Sequence, residues 1–247
     1  MAFHKPQMVV ITHSEMPRAS EIGMSRIRQL GKYMIVEYTV EYLGGDTSRW
    51  LELRSDMLES DLVVVFMEPY HKVKVWFHIV AGFADAIRLP LVVCAHASTP
   101  YINVPNTRYK VHVLDNPNQD NVETLVDTID QVYQKYSRPD WFYVMRAIIA
   151  MHDRKSTDYG TGRDPLANLR LADQVFGIPA WQATMIRATD KVFRIGRFAQ
   201  KGQLRNESVE DSLLDLANYG IIATTLYYQD QFDQLSKATN AKQQKTD

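Results

Sequence analysis

Unbroken apolar runs alternate with amphipathic stretches along the first half of the chain. Met8 to Thr12, Tyr33 to Val40, Asp61 to Met67 and Leu89 to Ala95 are short and rich in β-branched or aromatic residues, and Tyr109 to Leu114 alternates weakly. Short continuous runs of this kind predict strands buried on both faces. Between them, Ser20 to Lys32, Ser48 to Glu59, Val73 to Arg88 and Asn121 to Tyr136 read as helices, with apolar sides such as Ile22, Ile27 and Leu30 or Trp50, Leu53 and Met57. Strand and helix in alternation predict a parallel sheet covered by helices. Ligands of such sheets bind beyond the carboxyl ends of the strands, which points to the loops after Thr12 and Met67.

Past Ser137-Arg138-Pro139-Asp140 the strand pattern gives way to helical spacing. Trp141 to Met151, Pro179 to Lys201 and Ser208 to Tyr228 read as helices, and Asp153 to Asn168 reads as a long polar connection containing glycine. From Lys237 the chain is polar (KATNAKQQKTD) and is expected to be disordered. The sequence therefore predicts an α/β domain over 1–137, an all-helical domain over 138–236 and a disordered tail over 237–247.

A length of 247 residues accommodates two such domains. The chain is 45% hydrophobic and 23% charged, with a formal net charge of -1, so it carries no overall excess of positive charge to attract nucleic acid. The one cysteine, Cys94, lies inside Leu91-Val92-Val93-Cys94-Ala95 and cannot form an internal disulfide. A buried thiol in a reducing compartment is expected. No run approaches the ~20 apolar residues of a membrane span, and the polar stretch from Met1 to Gln7 is unlike a secretory signal. These features predict a cytoplasmic protein, in the host cytoplasm if the source is viral, with no membrane partner.

Asp56, Ser60 and Asp61 open the strongest apolar run, and Gly82, Ala84, Ala86 and Pro90 follow on the next helix. This layout resembles the nucleoside 2-deoxyribosyltransferase family over about the first half of the chain. The resemblance implies a flavodoxin-like, deoxyribosyltransferase-like parallel sheet and a nucleoside or nucleotide site, with Asp61 and Glu68 among the residues that touch substrate. His71 and His78 lie near the same site. The family's nucleophile is a glutamate two residues before the glycine. Val80 stands there, and a valine cannot form a glycosyl ester.

The helical half holds more chemistry. Ser208-Val209-Glu210-Asp211 reads as a helix N-cap with acidic residues in the first turn. Asp211, Asp215 and Asn218 or Tyr219 then fall on one side of that helix. Two carboxylates a turn apart suit a hard cation such as Mg²⁺. The preceding helix carries Arg187, Asp190, Lys191, Arg194 and Arg197 at spacings of three and four. Two readings of these rows stand side by side: an interhelical salt-bridge network, or cations that clamp phosphate while carboxylates hold a metal. The connection before them, with Lys155, Tyr159, Gly160, Gly162, Arg163 and Asn168, suits a loop that closes over a base or phosphate.

In order, Lys155…Asp158-Tyr159-Gly160…Asn168, Asp190-Lys191-Val-x-Arg194 and Glu207-Ser-Val-Glu210-Asp211-x-x-x-Asp215-Leu-Ala-Asn218-Tyr219 resemble the phage nucleotide modification associated helical domain, type one. That family is distantly similar to the all-helical nucleotide pyrophosphohydrolases of MazG and dUTPase type. The resemblance implies a MazG-like helical fold, a nucleotide ligand and a homo-oligomer. It implies Glu210, Asp211 and Asp215 as catalytic residues, with Asp190, Asp211 and Asp215 around Mg²⁺. Lys155, Tyr159, Arg163, Asn168, Arg187, Lys191, Arg194 and Asn218 would bind substrate. In the pyrophosphohydrolases the second helix carries Glu-x-x-Asp, whereas Ser212 stands three residues before Asp215. The expected activity is Mg²⁺-dependent hydrolysis of a nucleotide. Alternatives are a nucleotide-binding sensor or accessory protein without turnover, glycosidic-bond cleavage by the α/β domain, and an assembly protein that reuses these folds.

Overall fold

The computed structural model describes residues 6–13, 16, 18–40, 47–67, 75–95, 108–113, 119–136, 138–159, 164–204 and 206–243. Contacts divide the chain into two compact units, Met1–Arg146 and Ala147–Asp247.

The first unit is a five-stranded parallel sheet in the order β2-β1-β3-β4-β5. Its strands are β1 (Gln7–Thr12), β2 (Met34–Thr39), β3 (Leu62–Phe66), β4 (Leu91–Ala95) and β5 (Tyr109–Val113). The helices are α1 (Arg18–Leu30), α2 (Thr47–Glu59), α3 (Val75–Ala86) and α4 (Gln119–Tyr136). The runs that lack a polar face became the central strands: β3 and β4 are buried at every position, and β1 at all but its first. The edge strands β2 and β5 stay partly exposed.

Alternation along the strands splits the core in two. Val9, Ile11, Val63, Val65, Leu91 and Val93 face one way, against Leu53 and Met57 of α2 and Phe77, Val80 and Ala84 of α3. Met8, Val10, Leu62, Val64, Val92 and Cys94 face the other way, against Met24 and Ile27 of α1 and Leu125 and Ile129 of α4. This division follows from right-handed crossovers. The path steps outward from β1 to β2 and then back across to β3, so α1 lies on one face and α2 and α3 on the other. The order reverses between β1 and β3, and a crevice opens beyond the carboxyl ends of strands at such a reversal. The segments that would line it, including 14–15 and 68–74, lie outside the described residues, and so do Glu68 and His71.

Helix α5 (Trp141–Tyr159) begins in the first unit and continues into the second. Its first turn is pinned to the sheet unit. Asp140 accepts from the Tyr143 amide at 2.9 Å and from Arg108 at 2.6 Å. Arg146, nearly buried, donates to the carbonyls of Ile87 and Arg88 at the end of α3. The division therefore falls inside α5, and not at the Ser137–Asp140 stretch where the sequence places it.

The second unit adds α6 (Ala167–Phe176), α7 (Ala180–Lys201) and α8 (Val209–Gln243). Gly177 and Gly202 end α6 and α7 in the left-handed conformation, with φ of 64° and 69°, which a side chain would resist. Leu169, Ile222 and Leu226 form the apolar core, with Leu166, Ala180 and Trp181 packed on it. Two expectations are corrected here. Asp153 to Tyr159, read as loop, is the last part of α5, and Ala167 to Phe176 is a helix of its own. The part of the expected disordered tail from Lys237 to Gln243 is helical, because no proline or glycine follows Gly220 and alanine, lysine and glutamine all favour helix; residues 244–247 of that expectation lie outside the described residues.

Candidate functional site

Lys155, Lys191, Arg194, Glu207 and Asp215 of the second unit meet on a seam between α5, α7 and the start of α8. Asp215 on α8 lies at its centre, with only 8% of its side chain exposed. It accepts from the Lys155 ammonium of α5 through one carboxylate oxygen and from the Lys191 ammonium of α7 through the other, the latter at 2.7 Å. Lys191 also reaches Glu207 at 3.2 Å, and Arg194, one turn along α7, pairs with the same glutamate oxygen. Three cations thus surround two carboxylates. Lys155 and Arg194 are the outer members, with 42% and 43% of their side chains exposed.

The titration of these groups follows from that arrangement. Burial alone would raise the Asp215 carboxyl, but Lys155 and Lys191 override it and hold it below its ordinary range. Glu207 is lowered in the same way, burial working upward and Lys191 and Arg194 downward. Burial would lower Lys191, and its two carboxylate partners raise it instead. All three groups are therefore charged at neutral pH.

The other expected residues are placed as follows. Asp211 belongs to its own helix start: its carboxylate accepts from the Ser208 hydroxyl at 2.7 Å and the Ser208 amide at 3.2 Å, while its amide donates back to that hydroxyl at 2.9 Å. This is a reciprocal capping box. Glu210 is exposed in the same turn, and Asp190 and Arg187 are exposed on α7. Asp190 precedes buried Lys191 by one residue, about 100° around the helix, so it turns away from the seam. Asn218 is buried on α8 one turn beyond Asp215. Asn168 is half-buried within α6, Tyr159 ends α5, and Arg163 lies outside the described residues. Lys155 reaches the seam from a helix, not from a closing loop. Glu207, named in the sequence run without a role of its own, joins Lys191 to Arg194. Ser212, fully buried one turn before Asp215, has a hydroxyl with no hydrogen-bond partner.

These residues do not fit a magnesium site. Both oxygens of Asp215 are taken by ammonium groups, Asp211 caps its helix, and Asp190 is turned away. Among the described residues no group of three His, Cys, Asp or Glu could hold a metal ion. Mg²⁺ prefers carboxylate and water oxygens, and adjacent lysines repel it.

In the first unit, Asp61 accepts from the Gln7 amide at 2.9 Å. That contact ties the start of β3 to the start of β1, at the amino end of the sheet, opposite the end where such sheets bind ligands. Val80 is buried in the core between α3 and the sheet.

No family model and no curated protein matches the chain. Among solved structures it is similar to the Francisella novicida lysine decarboxylase LdcF, at 14% identity and a TM-score of 0.37, over 65% of this chain and 21% of that one. The chain thus spans about a fifth of that enzyme's length. No helix among the described residues is long and apolar enough to cross a membrane.

Proposed function

We propose that the helical unit binds a phosphate-bearing small molecule, a nucleotide or deoxynucleotide, at the Lys155–Lys191–Arg194 seam, and does so without metal-dependent turnover. The observation that carries the reading is the charge arrangement around Asp215. Among the described residues of this cluster, three cations balanced by two carboxylates leave one positive charge. Asp215 and Lys191 are the buried members and Lys155 and Arg194 the most exposed, so an anion arriving from solvent meets Lys155 and Arg194 first. A phosphate can accept from both, because an ammonium and a guanidinium each keep donors to spare. Asp215 and Glu207 then act as props that hold the cations in position before the ligand arrives.

The nucleotide identity of the ligand rests on the resemblance of the Lys155…Asn218 run to the phage nucleotide modification associated domain. The doubly wound strand order of the first unit is compatible with a flavodoxin-like or deoxyribosyltransferase-like domain that serves as scaffold. Val80 in the apolar core, where the resemblance would place a nucleophile, argues against glycosidic-bond chemistry. A sensor or accessory role in nucleotide metabolism fits these features better than hydrolysis.

Calorimetric titration of the full chain with inorganic phosphate, pyrophosphate, deoxynucleoside monophosphates and triphosphates, with and without Mg²⁺, tests the proposal. Binding of at least one phosphate compound without metal, weakened about tenfold or more by Lys155→Met or Arg194→Met, is the expected result. Absence of binding to all of them overturns it. Mg²⁺-dependent release of phosphate or pyrophosphate, abolished in Asp215→Asn, would replace it with the hydrolase reading.

A further inference from the structure

Helix α8 outruns the unit it belongs to. Its inward residues, among them Asp215, Asn218, Ile222 and Leu226, are buried, but beyond Leu226 no described side chain of the helix is. That far half nevertheless carries Tyr228, Phe232 and Leu235, which are 67%, 70% and 69% exposed. A helical arm bearing large apolar groups is unstable in water unless something packs against it.

The exposed residues of α8 form a stripe. Leu213, Ala217, Ile221, Thr224, Tyr228 and Leu235 recur at intervals of three, four and seven, on the side opposite the buried residues. From Leu213 to Leu235 this stripe carries no charge, since Asp215, Asp230 and Asp233 lie off it. Two copies of an uncharged surface can meet without bringing like charges together.

The stripe also matches itself when reversed. Turned end for end about Thr224, a second copy sets Leu213 against Leu235, Gly220 against Tyr228, and Ala217 at the level of Gln231 and Phe232. Small residues thus face large ones. Gly220 gives independent support. A Cβ added there would meet nothing within 4 Å, so this chain's own packing does not require glycine at that position. A glycine inside a helix is otherwise destabilising. Close approach of an aromatic ring from outside gives it a reason.

We infer that two copies of the chain associate through α8, antiparallel, about a two-fold axis at Thr224. The large exposed side chains and the small residues between them offer on the order of 700 Å² per copy, near the ~800 Å² per partner of a standard interface. The association does not depend on the ligand proposed above.

Thr224→Cys provides the test, because the other cysteine, Cys94, is buried in β4. At the roughly 8–10 Å spacing of packed helices, two residues on the axis have Cα atoms about 3.4–5.4 Å apart, and the wider part of that range is within disulfide reach. Mild oxidation of Thr224→Cys is expected to yield a covalent dimer of nearly all the protein. Asp233→Cys, on the opposite side of the helix, stays unlinked. Light scattering of the unmodified chain is expected to give twice its 28.5 kDa mass at tens of micromolar, and Phe232→Asp to give the single mass with unchanged helical circular dichroism. Mixed Leu213→Cys and Leu235→Cys chains cross-link, whereas either alone does not. A monomeric parent chain overturns the inference, as does a dimer that Phe232→Asp leaves intact and Thr224→Cys fails to link.

Discussion

Replacing Asp215 by asparagine keeps the shape of the seam and removes its central charge. Two ammonium groups then face a neutral amide. Breaking a buried ion pair by removing one partner costs about 3–5 kcal/mol, because the surviving charge is left uncompensated. Two features lower that figure here. Lys191 keeps Glu207 at 3.2 Å, and Lys155, 42% exposed, can turn to water. About 2 kcal/mol is the expected loss. For a unit of about 100 residues each kcal/mol shifts the midpoint by about 4–8 °C, so the helical unit should melt roughly 8–16 °C lower. Far-ultraviolet circular dichroism during heating reads this directly, since the second unit is helical among its described residues. Asp215→Leu combined with Lys191→Met should recover most of the loss, because removing both charges also removes the cost of burying them. A shift below about 2 °C for Asp215→Asn would refute the view that the seam holds the helices together. A double variant as unstable as the sum of the single ones would refute the pairing itself.

The pH dependence has a defined sign. Asp215 and Glu207 are held below their ordinary values of 3.8 and 4.5, so their contribution to stability is complete above those values and is lost as pH falls through the lower folded ones. Melting curves of the parent chain and Asp215→Asn should therefore converge in acid below those values and differ fully at neutral pH. Lys191 is raised above 10.5, so its contribution is complete below that value and is lost only as pH rises through the higher folded one. Cys94 is buried in the core and burial pushes its thiol well up, so a thiol reagent should label it only after unfolding, and rapid labelling of the folded chain would contradict that packing. Gly202→Ala forces a Cβ into the left-handed conformation at the end of α7 and should cost about 1 kcal/mol in denaturant melts, with no loss expected only if the helix end relaxes.

The elements of the first unit were legible to within two or three residues at most ends, because continuous apolar runs and helical periods differ in kind. The second unit was less so. Asp153 to Tyr159 reads as loop from its polar composition, yet it continues α5, and Lys155 reaches Asp215 from that extra length of helix. Polar side chains do not stop a helix when they find partners on its neighbours. The start of the tail, as far as Gln243, continues α8 because alanine, lysine and glutamine favour helix. Asp211 looked like a metal ligand because of its spacing from Asp215. Its spacing of three from Ser208 makes a capping box, and the nearer donor has its carboxylate.

The amino-acid sequence settled which segments could be strands, which helices, and where the cations and carboxylates of the helical half recur along it, since period and residue type are local properties. It could not settle whether the two charged rows would bind a metal or one another. That depends on the geometry of three helices meeting, which brings two ammonium groups to the two oxygens of Asp215. Strand order was likewise beyond the local pattern, because the reversal between β1 and β3 follows from crossover handedness and packing on both faces of the sheet.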